Sequence, residues 1–521
     1  LPNSVFDVVE KDLSAFGTRV VDDIWAYCVA ARECEPHLQQ FDAWGHRIDK
    51  IHTSDAWKVL GGVAAEEGLL ALAYERRFGV SSRIYQAAKL YLFNPSSAIY
   101  TCPLAMSDGA ARLIEVHGNN SLKTEVLPRL ISRDPKSVWT SGQWMTERSG
   151  GSDVSTSETI AKETPEGYAL YGTKWFTSST TSQIAMTLVR LDEKAPLSLF
   201  FLETHDASGN LNQIEIHRLK DKLGTRAMPT AELTMKGTAA QMIGEPGRGV
   251  SQMATLFNVT RIYNAITSVG YMRRGLALAH EYAQQRTAFG KKLSEHPLHM
   301  RTLTQLQARW MASMQLVFNV AHLQGLVECE EATMIQKAAL RLLTPIVKLF
   351  TAKEAVSVLS EVLECFGGAG YIEDTHLPVL LRDAQVLPIW EGTTNVLSLD
   401  ALRAIQKEDA FVAWLTLAQE KRAHLKVSVL EPVLTQIDAN LFWLQSSLKS
   451  ASTGTLQVNA RSWAMTLGRT AAGLLLAEQA QWEVKKETPL VAVRGLNTLL
   501  KSQYFNPGSF FDWEPSELEL F

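Results

Sequence analysis

Between residues 138 and 244 the hydrophobic pattern of this chain changes period, and no single-layer fold accommodates the change. On either side, apolar residues return every three or four positions over long stretches, as they do on one face of a helix. Inside, the runs 168–171, 185–189, 197–202, 214–216 and 231–235 are short, strand-like and separated by turn residues. A mostly antiparallel β-domain is therefore set between two helical blocks, and the fold class is α+β, mostly α. The spacing predicts an N-terminal helical domain over 1–137, a β-domain over 138–246, a four-helix bundle over 247–407, and a helical extension with an acidic tail over 408–521. In the first block, one amphipathic run extends from 4 to about 32, and Asp42-Ala43-Trp44-Gly45-His46 reads as a turn. A second helix starts at Ser54 or Asp55, and a third helical stretch, 81–118, is broken at Asn94-Pro95 and Cys102-Pro103. The bundle helices are expected at 250–286, 298–329, 331–366 and 394–406, and extension helices at 412–430, 433–448 and 462–482.

Composition narrows the partners. A net charge of −4 over 521 residues gives no general attraction to nucleic acid or an anionic membrane. No run of eighteen apolar residues occurs, so no membrane span is expected. Five scattered cysteines with no C-x-x-C pair fit a reducing compartment, the mitochondrial matrix or the cytoplasm. The chain begins at Leu1 rather than Met, so the lack of a leader carries no weight, and its end matches no peroxisomal or retention signal.

The most pointed chemistry lies at Pro388-Ile389-Trp390-Glu391-Gly392-Thr393. Glu391 precedes a helix that Thr393 or Thr394 can cap and whose apolar face is read as Val396, Leu399, Leu402 and Ile405. The helix dipole favours the ionised carboxylate, while Ile389 and Trp390 are expected to desolvate it; such a balance suits a base acting once substrate has expelled water. Taken alone, the stretch reads sooner as an acid decorating a helix N-terminus than as a base.

Two β-domain segments bring aromatics, hydroxyls and glycines together: Trp144-Met145-Thr146-Glu147 leading to Gly150-Gly151-Ser152-Asp153, and Lys174-Trp175-Phe176-Thr177-Ser178. Each by itself reads equally as a turn or a half-buried strand. Gly367-Gly368-Ala369-Gly370 follows a helix rather than a strand and reads as a C-terminal cap, not a dinucleotide loop. Walker A, H-E-x-x-H, zinc-ligand spacing and G-x-S-x-G are all absent, and no metal site is expected.

In order, these motifs resemble those of the acyl-CoA dehydrogenase family: Met145-Thr146-Glu147 with Gly151-Ser152-Asp153, Gly172 to Phe176, Gln285-Arg286 with Phe289-Gly290, Phe366 to Tyr371, Leu381-Arg382-Asp383 and Trp390 to Thr393. They cover residues 50–406. The segment Lys220 to Arg226, the Trp before the glutamate, the early stretch 41–49 and the helical extension resemble the AidB-like branch. The resemblance implies FAD as cofactor, acyl-CoA as substrate, a homotetramer built as a dimer of dimers, and an electron-transferring flavoprotein as redox partner. It also implies that Glu391 removes the α-proton of an acyl thioester while the β-hydride passes to flavin N5.

For the cofactor, the resemblance implies Trp144, Met145 and Thr146 along the ring, Gly151 and Ser152 in the adjoining loop, and Phe176 and Ser178 at the next strand. Across a subunit boundary it implies Arg286, Phe289, His296, Glu364, Gly367 and Gly368, and just beyond the base Thr393 and Asn395. Ser152, Asn258 and Arg261 match substrate positions. Thr260 stands where some relatives carry their glutamate, so no second base competes with Glu391. The chain departs from the family at Arg148-Ser149, where Pro-Gly is usual, at Glu364 and at Pro297, both commonly Gln.

The implied activity is α,β-dehydrogenation of medium- or long-chain acyl-CoA in fatty-acid metabolism; the chain length follows only from small residues near Ser96 to Met106. A sequestering or sensing flavoprotein with little turnover is the alternative on the same scaffold. DNA-associated protection is disfavoured, because residues 411–521 carry ten cations against ten anions.

Overall fold

The computed structural model describes residues 3–506, and these fall into two compact units: residues up to 78 with 88–263, and residues 79–87 with those from 264 onward. The regions expected as an N-terminal helical domain and a β-domain thus share the first unit, and the bundle and extension share the second. The acidic segment 512–519 lies outside the described residues.

The first unit opens with two helices, Asn3–Val21 and Asp23–Glu33, in place of one continuous run. An unexpected hairpin follows. Strands β1 (His37–Phe41) and β2 (Arg47–His52) flank the predicted turn, where Asp42 Oδ1 accepts from the Trp44 and His46 N–H groups at 2.8 and 2.9 Å. Residues 1–137 are therefore not wholly helical. The strands escape a sequence reading because their residues are largely exposed or half-buried on both faces, so the period-two signal is faint. What holds the hairpin is distant in sequence: Asp49 Oδ2 accepts from Ile216 N–H at 2.8 Å, and Arg47 donates to the Ile216 carbonyl at 2.9 Å.

Seven strands form the main sheet: β3 (Ser141–Trp144), β4 (Ile160–Thr164), β5 (Gly167–Ser178), β6 (Ile184–Arg190), β7 (Leu197–Glu203), β8 (Ile214–Leu219) and β9 (Thr230–Ile243). Their pairings run β6–β4–β5–β9–β7 and return from β7 to β6, closing a barrel, with β3 added on β6 and β8 on β9. Closure leaves the paired strands few open edges. Most pairs are antiparallel; β3 and β4 run parallel to β6. One barrel core gathers Leu170, Phe200, Leu202 and Leu233, and a second core packs Ala110, Ile114 and Leu130 on Met186 and Leu199.

The second unit contains the long helices Pro297–Glu328, Met334–Cys365 and Thr394–Glu408, together with the later part of Gly249–Gln285. Thr333 caps the second of these in a capping box with Gln336, which sets its start. Gly367, at φ +59°, ends the same helix, as the cap reading expects. The extension forms Ala410–His424, Glu431–Ser450, Ala460–Lys485 and Val491–Lys501. It packs on the bundle closely enough that a Cβ at Gly468 would lie 2.8 Å from the Phe350 ring. Among the described residues no helix is long and apolar enough to cross a membrane.

Candidate active site

Two strand ends of the first unit present the segments singled out in the barrel. Thr146, one residue beyond Met145, accepts through its carbonyl from Trp175 N–H at 2.9 Å, which ties the segment following β3 to β5. Trp144 has its ring in the barrel core, so what that residue offers a ligand is main chain; Met145 is also buried. Phe176, by contrast, is 53% exposed, and Ser178 shares a hydroxyl–hydroxyl bond of 3.1 Å with Thr230. Gly151 and Ser152 lie in the exposed loop after Glu147, and a side chain at Gly151 would collide with Thr146. Asp153 caps a single turn there by accepting from Ser155 N–H at 2.9 Å.

The charged groups that hold these segments lie within the stretches quoted from the sequence, which assigned them no role of their own. Lys174, fully buried, places Nζ 2.7 Å from Glu147 Oε1; the same carboxylate accepts from Thr159 Oγ1 and from Glu158 N–H, each at 2.6 Å. Burial pushes the Glu147 carboxyl up, but the Lys174 ammonium and these bonds outweigh it and hold it below the usual carboxylate range. Lys220 lies 3.8 Å from the centre of the Trp175 ring and 4.7 Å from that of Phe176, while also bonding Glu232. Arg148, one of the departures, covers Trp175 at 5.5 Å. Asn258 and Arg261, one turn apart on Gly249–Gln285, share a half-buried helix face.

In the second unit, Glu391 is half-buried and sits in a left-handed turn, φ +54°, followed by Gly392 at +101°. Thr393, rather than Thr394, caps the next helix by accepting from Val396 N–H at 3.4 Å. Two expectations for this stretch are corrected. Ile389 is 61% exposed and does not wall off Glu391 within this chain. The helix buries Thr394, Leu397, Ser398, Ala401 and Leu402, while Leu399 is 44% exposed, so the buried face is rotated from the one read. Trp390 turns its ring inward, and Nε1 donates to Asn264 Oδ1.

Elsewhere in this unit the singled-out residues are mostly exposed. A small hairpin, β10 (Thr287–Ala288) and β11 (Lys291–Lys292), lifts Phe289 to 98% exposure beside Arg286, and His296 Nε2 lies 3.0 Å from the Ala288 carbonyl. Tyr282 and Phe366 rings, 4.8 Å apart, bring the end of Arg286's helix to the exposed Gly367-Gly368 turn beside Glu364. Asn395 is exposed on the first turn of Thr394–Glu408.

Four family descriptions match this chain: "Adaptive response protein AidB N-terminal domain" over 4–135, "Acyl-CoA dehydrogenase, middle domain" over 142–238, "Acyl-CoA dehydrogenase, C-terminal domain" over 247–406, and "Acyl-CoA dehydrogenase 11 C-terminal domain-like" over 410–495. Acyl-CoA dehydrogenase family member 11 of Caenorhabditis elegans is 43% identical over 92% of this chain and 82% of its own length. Putative acyl-CoA dehydrogenase AidB of Escherichia coli is 30% identical over 72% of this chain and 70% of its own length. The crystal structure of Caenorhabditis elegans ACDH-11 in complex with C11-CoA superposes with a TM-score of 0.93 at 41% identity, covering 96% of this chain and 88% of that one. The chain belongs to the acyl-CoA dehydrogenase family, on its AidB-like side, a family of FAD-containing oxidoreductases.

Proposed function

We propose that this protein is an FAD-dependent acyl-CoA dehydrogenase for straight acyl chains of medium to long length, with Glu391 as its base. The observation that carries the reading is the turn at Glu391: a half-buried carboxylate, in a strained left-handed conformation, directly before a capped helix. Strain of this kind is tolerated where the surroundings over-determine a functional side chain. The C11-CoA held by the similar ACDH-11 supports the substrate class and the chain length.

The barrel face fits a flat conjugated cofactor. Phe176 offers an exposed aromatic surface, the Gly151 approach to Thr146 leaves main chain accessible, and Ser178 supplies a hydroxyl. FAD supplies the hydride acceptor for the β-carbon. The chain's own work is to bind and align the thioester and to take a proton. A thioester α-proton is too weakly acidic for a carboxylate in water, so the proton transfer to Glu391 needs a bound acyl chain that expels solvent from the site. The Glu391 N–H donates to the thioester oxygen as enolate charge develops there. Asn258 and Arg261 flank the CoA arm, and Arg286, Phe289, His296, Glu364, Gly367 and Gly368 serve the FAD of a neighbouring subunit in a dimer of dimers. An electron-transferring flavoprotein would be the partner that reoxidises the cofactor.

Anaerobic addition of a saturated acyl-CoA of about eleven carbons tests the reading. Rapid loss of the visible flavin absorbance is expected; a tight complex that leaves the flavin oxidised would instead identify a sequestering protein.

A further inference from the structure

Lys348 stands in the middle of Met334–Cys365 with Ile346, Val347, Leu349 and Phe350 around it in sequence, and like them it is 0% exposed. An ammonium in such surroundings is costly unless it is well bonded. One of its bonds runs to main chain: Nζ lies 2.6 Å from the carbonyl oxygen of Gly392. That carbonyl belongs to the residue directly after Glu391. On the other side of Glu391, the Trp390 indole donates to Asn264 Oδ1, and Asn264 is itself buried.

The turn between these two anchors needs holding. Glu391 at φ +54° occupies a region that L-residues avoid, and Gly392 at +101° is followed so closely by Leu397 that a Cβ there would lie 2.8 Å from Cδ2. Left to its own preferences, the backbone would relax and swing the carboxylate. A charged donor on a main-chain carbonyl is among the stronger restraints available to a buried turn, since it gains from the low local dielectric.

We infer that Lys348 is a positioning residue for the base: its ammonium, with Asn264 on the opposite flank, fixes the Trp390-Glu391-Gly392 turn so that the Glu391 carboxylate is presented at one place. The inference rests on the reading of Glu391 as base, and it concerns rate rather than binding. A carboxylate displaced by about 1 Å loses on the order of a hundredfold in rate while substrate affinity stays.

The test compares Lys348→Met, Glu391→Gln and the wild type as FAD-loaded protein. Met fills the space of the Lys stem in an apolar setting without the donor. Measured together are FAD content, acyl-CoA Kd, thermal midpoint and the rate of anaerobic flavin reduction by a saturated acyl-CoA. Lys348→Met should retain FAD and bind acyl-CoA within about threefold of wild type while reducing about a hundredfold more slowly. If Lys348→Met does not fold, Asn264→Leu, which leaves the buried lysine in place, must show the same split between rate and binding. Wild-type reduction in the folded Lys348→Met, or in Asn264→Leu where that variant stands in for it, overturns the inference while the base assignment stands. So does a fall in FAD content or thermal midpoint with the rate per bound FAD unchanged, which identifies a structural lysine. Wild-type reduction in Glu391→Gln removes the base assignment itself.

Discussion

Lys174 Nζ and Glu147 Oε1 meet at 2.7 Å inside the barrel, joining the strand that carries Phe176 to the loop that carries Gly151 and Ser152. Both partners are buried, so removing one leaves the other's charge without its counter-ion. Lys174→Met should destabilise the protein by about 3–5 kcal/mol, and the double variant Lys174→Met/Glu147→Leu should recover most of the loss. Denaturant unfolding of the wild type, Lys174→Met, Glu147→Leu and the double variant measures the cycle.

The same pair predicts an acid limb. The Glu147 carboxyl is held lower in the folded than in the unfolded chain. Its contribution to stability is therefore complete above the unfolded value of about 4.3 and is lost as pH falls through the lower folded value. Thermal midpoints of the wild type should drop below about pH 4.3 more steeply than those of the Lys174→Met/Glu147→Leu variant, which has no such carboxylate to protonate.

Neither partner announces itself in the sequence, because they are 27 positions apart and meet only once β5 lies beside the loop. By contrast, the switch of period located the barrel, and five of its strands contain the runs read from the pattern. The bundle helices fell within a few residues of their expected ends because Pro297, Thr333, Thr393 and Gly367 punctuate them locally. The hairpin at 37–52 was missed because its strands hide little on either face and depend on β8, far along the chain. For Glu391 the position was legible but the surroundings were not: Ile389 points out, and the helix face is rotated from the apolar residues that stand out by eye. Lys348 did carry a signal, a single charge amid the apolar run 346–350, whose target 44 residues away only the fold reveals.

Phe176 separates cofactor binding from stability. Being half in solvent, its ring contributes little to the barrel core, so Phe176→Ala should leave the thermal midpoint of the apoprotein almost unchanged. Loss of an aromatic stacking surface of about 1–3 kcal/mol should weaken FAD by about fivefold to 150-fold. Flavin-to-protein absorbance after dialysis and a direct FAD titration read the two effects.

Arg286 is exposed beside the bare Phe289 ring, so charge reversal there costs the isolated fold little. If these residues hold the diphosphate and adenosine of a neighbouring subunit's FAD, Arg286→Glu should lower FAD affinity by at least about tenfold, since a cation–phosphate contact becomes a repulsion. Glu364→Gln should act in the opposite direction and tighten FAD at low salt. Isothermal titration with FAD at two ionic strengths checks both signs.

The central claim is that the Glu391 carboxylate takes the α-proton, and the most direct measurement is anaerobic flavin reduction by Glu391→Gln at saturating acyl-CoA. The account predicts that this variant retains FAD, binds acyl-CoA with a Kd within a few-fold of wild type, and reduces its flavin about a hundredfold to ten-thousandfold more slowly, the range for loss of a general base. Flavin reduction at the wild-type rate in Glu391→Gln would contradict it.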